Sequence, residues 1–442
     1  MPILPSPPSP LPSPPASSHV NVEIVTIGDE LLLGFTIDTN AAHLARELAT
    51  LGIRINRRTT VGDTAVEIAE AVNIALARTG AVITTGGLGP TSDDLTKPAI
   101  AALFGREMVL DQPTLDRIER IFRSRGYPGP MPAANRAQAM VPAGARILLN
   151  RHGSAPGIWL EDTDGRWVAM LPGVPREMRG MLADTLLPEL LTRRGDVQTV
   201  VRSRSLRTTG VAESALADRI ADIASDLPNL SLAYLPGADG VDLRLTCAGR
   251  DPTTADELIA RAAERLRDPL GTALYAEGDT DLAAVVIDLC LAHRLTIAVG
   301  ESCTGGLVGA RITAVPGSSG VFVGGVIAYS NDVKTSLLGV PAEEIATHGA
   351  VSERVCRLMA TGARTRFGSE IGIGVTGIAG PGGGSADKPV GTVWIAVDVL
   401  GAVSAMVRRF PGDRDEIRRR AAQSALDMVR LALLPTPGAP RA

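Results

Sequence analysis

The sequence predicts an α/β protein with two three-layer α/β domains joined by a small α+β module. Three observations carry that prediction. From Val22 to Thr85, β-branched apolar runs alternate with helical patterns, the rhythm of a parallel sheet covered by helices on both faces. Residues 199–270 break the rhythm with a strand, a helix, two adjacent strands and a helix. From about Leu274, apolar runs again end in glycine-rich turns that lead into helical patterns. At 442 residues the chain exceeds one ordinary core. The expected divisions are 1–20, 21–190, 191–272 and 273–436.

Residues 1–18 are nearly all Pro, Ser, Leu and Ala, and read as a disordered polyproline-like extension or a mis-assigned start. Val22 to Ile27 is the first strand and ends at Gly28. Asp38 caps a helix that runs through Leu51 and stops at Gly52. Ile53 to Val61 is a strand, Thr64 to Arg78 a helix and Ala81 to Thr85 a strand. Helices near 95–104 and 112–125 precede a Pro-rich passage from Tyr127 to Pro142. Two or three short strands then lead to Leu171-Pro172-Gly173-Val174-Pro175 and a helix near 176–193. In the small module, 232–236 and 241–246 pair around a glycine-rich hairpin. The last domain offers a helix at 281–293, strands near 295–299, 321–328, 370–375, 391–398 and 403–410, and a closing helix capped by Asp413.

Composition narrows the function. Aromatics are 3% of residues, so stacking platforms for nucleic acid are scarce and no nucleic-acid partner is expected. Four scattered cysteines form no CxxC pair, and five histidines show no metal-ligand spacing. There is no basic-then-apolar leader and no apolar run of membrane-spanning length, so no membrane partner is expected. A soluble cytoplasmic protein is the resulting expectation.

Two constellations carry chemistry. Thr84 to Asp94 follows a strand and opens a helix; Gly86, Gly87 and Gly89 permit close backbone approach, and with Thr91 they suit phosphate. Asp93 and Asp94 come directly after, with Asp29 and Glu177 at other element ends, a set suited to a hard divalent cation. Helix capping explains Asp93 and Asp94 equally well by themselves; the clustering favours phosphate plus metal. In the last domain, Ser302 sits at a strand-to-helix turn with Cys303, Thr304, Gly305 and Gly306, where free amides stabilise an oxyanion. A serine needs a base, and Lys334, near Tyr329 and Asn331, supplies one. Cys303 is the rival nucleophile, though a small buried residue is the preferred reading. Thr376, Gly377 and Gly380 begin a glycine-rich stretch suited to phosphate or ribose. The arrangement favours acyl transfer on a small amide or ester.

At these motifs the chain resembles the CinA (competence/damage-inducible) family from about Val22 to Leu434. Gly28 to Gly34, Thr84 to Asp94 and Leu171 to Met178 resemble a molybdopterin-binding (MoaB/Mog-like) domain; Glu301 to Gly306, Ala328 to Lys334 and Gly377 to Gly383 resemble a nicotinamide mononucleotide deamidase domain. The resemblance implies hydrolysis of that carboxamide to nicotinate mononucleotide and ammonia, with Ser302 as nucleophile, Lys334 and Tyr329 moving protons, and no cofactor. It further implies that the N-terminal domain cleaves ADP-ribose with a divalent metal (Mg, Mn or Co), held by Asp93 and Asp94, and that the protein is a homodimer. A molybdopterin-related binding protein, or a nucleotide-sensing scaffold with a vestigial last domain, is the alternative.

Overall fold

The computed structural model describes residues 21–124, 126, 130–194 and 199–434. The Pro/Ser-rich start and part of the Pro-rich passage lie outside these residues. Two compact units result: one runs to Arg202 and includes Ala248–Asp256, the other comprises Ser203–Cys247 and the chain from Glu257 onward.

The first unit is built on six strands: β1 (Asn21–Ile27), β2 (Arg54–Val61), β3 (Ala81–Thr85), β6 (Arg146–Leu148), β7 (Gly157–Glu161) and β8 (Trp167–Leu171), the short pair β4 (Met108–Leu110) and β5 (Met140–Pro142) standing apart. Their order is β2-β1-β3-β8-β7-β6. The sheet is mixed. Four strands from β2 to β8 are parallel, as the alternating pattern predicts, whereas β7 runs antiparallel to both neighbours. Asp38 caps its helix by accepting from Ala41 N, and Thr64 caps the next by accepting from Glu67 N. One core forms where the Thr39–Thr50 helix packs on the sheet through Leu44 and Leu48, and a second where the Ala65–Thr79 helix packs on the opposite face through Ile68 and Val72. That is the three-layer arrangement. The expected single helix near 176–193 is interrupted by a π-helical turn at Leu182–Leu186, and a one-turn helix at Asp29–Leu32 follows the first strand.

β9 (Val200–Thr208), β10 (Leu230–Pro236), β11 (Val241–Arg250) and β12 (Leu274–Glu277) form a sheet of order β10-β11-β9-β12, with β10 and β11 as the expected hairpin. The terminal domain uses β13 (Ile297–Glu301), β14 (Phe322–Ile327), β15 (Ile371–Gly377), β16 (Thr392–Val399) and β17 (Ala402–Arg409) in the order β14-β13-β15-β16-β17. Helices Leu282–His293 and Arg414–Leu433 cover one face, and Asn331–Leu338 with Glu353–Phe367 the other. The parallel strands β14, β13 and β15 all end at the same edge, where ligands bind in open α/β sheets. No helix among the described residues is long and apolar enough to cross a membrane.

Candidate functional site

All five residues of β13 are buried, and Ser302 extends its pairing by donating its backbone N–H to the Val375 carbonyl. The chain then turns sharply, with Gly305 at φ +62° and Gly306 at φ +93°, both in the left-handed region. The buried Glu301 carboxylate folds forward over this turn and accepts from the amides of Gly306, Val308 and Gly309 at 2.9, 3.2 and 2.9 Å. It fills the start of the Leu307–Thr313 helix, whose amides have no partner within the helix. This corrects one expectation. Thr304, Gly305 and Gly306 do not form an open anion-binding turn: the Gly305 amide donates to the Ser302 carbonyl, the Gly306 amide donates to Glu301, and none of the three lines the neighbouring cavity. The amides of Cys303 and Thr304 alone in this turn find no carbonyl acceptor among the described residues.

That cavity encloses about 290 Å³, and Ser302, Cys303, Tyr329, Asn331, Lys334, Thr376, Gly377 and Gly380 all line it. Residues far apart in the chain thus meet at the strand ends. Lys334 rides on the Asn331–Leu338 helix, capped by the Ser330 side chain, and is 1% exposed. Its Nζ donates to the carbonyls of Ala328 at 2.9 Å and Tyr329 at 3.4 Å. Burial pushes its pKa below the ordinary value of 10.5. Among the described residues no hydrogen bond joins Lys334 to Ser302; both open onto the same space.

Burial pushes the Cys303 thiol up to about 12, which favours the protonated form over the thiolate. Tyr329 stands at the rim, largely exposed, with its hydroxyl oxygen accepting from Arg414 Nη2 at 2.7 Å. Arg414 also donates to the Gly380 carbonyl, and Thr376 Oγ1 donates to the Ala350 carbonyl at 2.8 Å. Arg414 is a lining residue that the sequence reading missed. Its only signal was its place directly after Asp413, which caps the closing helix in a capping box with Glu416.

The N-terminal glycines have a different explanation from the expected one. Gly86 lies at φ +114°, and a methyl carbon there would sit 2.1 Å from the Ile27 carbonyl oxygen. At Gly87 it would meet Thr96 Oγ1 at 2.1 Å, and at Gly89 the Asp94 carboxylate at 2.5 Å. Close approach is required by the protein's own packing. Asp94 accepts from Gly89 N, Thr91 N and Thr91 Oγ1, bracing the loop. Asp29 exchanges hydrogen bonds with the Asp63 backbone and side chain, Glu177 accepts from Asn150 Nδ2 at 2.6 Å, and Asp93 faces solvent. Asp93, Asp94, Asp29 and Glu177 therefore do not make a cation cage. Among the described residues no three His, Cys, Asp or Glu side chains come close enough to hold a metal. Backbone amides donate to Asp94 and Asp29 and Asn150 donates to Glu177, and these carboxylates do not converge with the exposed Asp93 on one point.

What does open at the strand ends of this domain is a pocket of about 90 Å³ lined by Thr26, Glu30, Asp38, Asn40, Thr85 and Gly173, among others. Asn40 donates through Nδ2 to Thr85 Oγ1 and the Gly173 carbonyl, while its buried Oδ1 has no partner. The sequence reading did not single out Asn40 or Thr85.

Residues 279–433 match the family model described as CinA C-terminal domain, 23–192 match "Probable molybdopterin binding domain", and 203–276 match "Damage-inducible protein CinA KH domain". A CinA-like protein of Gemmatimonas aurantiaca is 62% identical over 93% of this chain and 96% of its own. A putative competence-damage inducible protein of Moorella thermoacetica is 43% identical over 93% and 98%. The crystal structure of a competence/damage inducible protein from Agrobacterium tumefaciens, 42% identical, covers 34% of this chain and 93% of its own with a TM-score of 0.34. Three successive domain matches and relatives similar along nearly their whole length have one reading: the chain belongs to the CinA family.

Proposed function

We propose that the terminal domain hydrolyses the carboxamide of nicotinamide mononucleotide through an acyl-enzyme on Ser302. The observation that carries this reading is a serine and a desolvated lysine amine opening onto one cavity. The Lys334 lone pair takes the Ser302 proton as Oγ attacks the carboxamide carbon. The carbonyl oxygen becomes an oxyanion, for which the amide of Cys303, a lining residue, is the available donor. On collapse, the C–N bond breaks and the Lys334 ammonium returns its proton to the leaving nitrogen, which departs as ammonia. Water then attacks the ester as Lys334 takes its proton; the C–O bond breaks, the Lys334 ammonium returns the proton to Ser302 Oγ, and the nicotinate leaves as the carboxylate, its acid proton passing to solvent. Arg414 at the rim suits the substrate phosphate, and it orients Tyr329 for proton exchange at the mouth. The test is ammonia release from nicotinamide mononucleotide by wild type and Ser302→Ala. Equal rates eliminate the nucleophile.

For the N-terminal domain we propose cleavage of ADP-ribose to AMP and ribose 5-phosphate. The small strand-end pocket with the unpartnered Asn40 Oδ1 supports a polar ligand there. Among the described residues a divalent cation for that reaction has no ready-made protein site. Asn40→Asp should lower ADP-ribose turnover, and unchanged turnover removes the pocket from the reaction.

A further inference from the structure

The strand-end pocket of the first unit, about 90 Å³, has a wall whose charge is of one sign. Its only ionisable side chains are Glu30 and Asp38; around them stand the hydroxyls of Thr26, Thr36, Thr39 and Thr85, with no lysine, arginine or histidine. Most of this wall comes from the end of β1, the one-turn helix Asp29–Leu32 and the loop that leads to the Asp38-capped helix. Thr36 N donates to the Glu30 carbonyl at 3.1 Å, which closes the loop on itself and puts Glu30, Ile37 and Asp38 on one wall.

Two observations describe what the pocket lacks. Glu30 is exposed, and its carboxylate meets no donor among the described residues. It lies back over Gly28, where a methyl carbon would sit 2.6 Å from both of its oxygens. Asp38 gives Oδ1 to the Ala41 amide at 2.8 Å, which leaves Oδ2 for a ligand. The loop is also apolar where it meets solvent: Leu32, Leu33, Phe35 and Ile37 fall within six residues and are 55, 67, 81 and 84% exposed, and Ile37 lines the pocket itself. Large apolar side chains clustered in this way mark a surface that binds something.

Two carboxylates with no cation in the wall repel a phosphate, and among the described residues they do not make a metal cage. Acceptor-only groups suit a neutral ligand rich in hydroxyl donors. The volume is well below the ~300–1,000 Å³ of pockets that enclose whole ligands, so it takes one ring and not a nucleotide. We infer that this pocket is a ribose subsite. The vicinal hydroxyls of a ribofuranosyl group donate to Glu30, with Asp38 as a second acceptor; the carbon edge of the sugar packs on Ile37, and the phosphates stay outside. The inference rests on the ADP-ribose reading for the identity of the ligand, both of whose riboses carry this diol.

The test is calorimetric titration of the full chain with AMP and 2′-deoxy-AMP, and separately with ribose 5-phosphate and 2-deoxyribose 5-phosphate. In at least one pair the hydroxylated ligand should bind roughly tenfold or more tightly, the worth of one charge-assisted hydrogen bond. Glu30→Ala should erase that preference while the deoxy ligand binds as well as before or better, because a negative charge near its phosphate is gone. The melting temperature should stay near wild type, since the Glu30 side chain has no partner to lose. A preference within the AMP pair assigns the adenosine ribose, one within the other pair the terminal ribose, and either supports the subsite. Equal or absent binding within both pairs, or a preference that survives Glu30→Ala, overturns it. ADP-ribose turnover without hydroxyl-dependent binding strikes only the ribose subsite; hydroxyl-dependent binding without turnover strikes only the cleavage.

Discussion

Replacing Lys334 by Met is the sharpest perturbation of the proposed chemistry. The change deletes the amine and keeps an apolar side chain of similar length in a site that is 1% exposed. Two stability effects oppose each other. The Ala328 carbonyl, on a residue that is 0% exposed, loses a donor at 2.9 Å, which costs about 1–3 kcal/mol. The cost of burying an amine disappears at the same time, so the variant should fold. Its rate should nonetheless fall by about 10²–10⁴, or about 3–5 kcal/mol in the barrier, the contribution of a positioned base. Ammonia release from nicotinamide mononucleotide measures this directly, and urea unfolding checks the fold. Wild-type activity should also rise with pH as the amine loses its proton, at a value below 10.5, and Lys334→Met should lack that rise. The linkage has the same direction. Between the folded and unfolded pKa values the unfolded chain binds more protons, so the contribution of Lys334 to stability grows as pH rises and is complete above the unfolded value. A folded Lys334→Met protein that releases ammonia within about threefold of wild type would refute the assignment of the base.

Other expectations are quickly tested. Cys303→Ala should keep ammonia release within about tenfold of wild type, since a thiol held near 12 supplies no thiolate at neutral pH; loss as deep as in Ser302→Ala would restore the cysteine as nucleophile. Arg414→Met should raise the KM for nicotinamide mononucleotide far more than for nicotinamide riboside, which lacks the phosphate, and an equal effect on both would remove Arg414 from phosphate binding. Gly86→Ala should destabilise the N-terminal domain by roughly 1–3 kcal/mol, because the residue has φ +114° and the added carbon meets a backbone oxygen; an unchanged melting temperature contradicts that packing. Titration with Mn²⁺ alone should show no tight site in the N-terminal domain, and a micromolar site without nucleotide would show that the carboxylates rearrange into a cage.

What could be read in advance depended on the range of the forces involved. Helix caps such as Asp38 and Asp413 were legible because the capping oxygen and its amides lie within three residues. Ser302, Lys334 and Thr376 were each singled out at a turn beside a strand, but whether Lys334 reaches Ser302 was not legible, and they line one cavity without a hydrogen bond between Lys334 and Ser302 among the described residues. The antiparallel direction of β7 was not legible, since alternation of elements does not state strand polarity. The Glu353–Phe367 helix went unread despite Ser352 as its cap and Gly368 as its end, signals plain in the sequence but passed over between two richer motifs. The glycines after β3 were correctly seen as demanding close approach, but the approaching groups, Ile27 and Thr96, come from elsewhere in the fold. Carboxylate placement misled for the same reason: whether Asp94 faces a cation or Gly89 depends on the path of the loop.

Glu301 has a wider consequence. One carboxylate welds the end of the central strand to the first turn of the next helix, one residue before the proposed nucleophile. Substrate arrival therefore need not organise that segment, because the polypeptide completes it while acquiring its native shape. Substitutions at Glu301 should couple two properties that are usually separable: the resistance of the terminal domain to denaturant and its turnover number should decline in step.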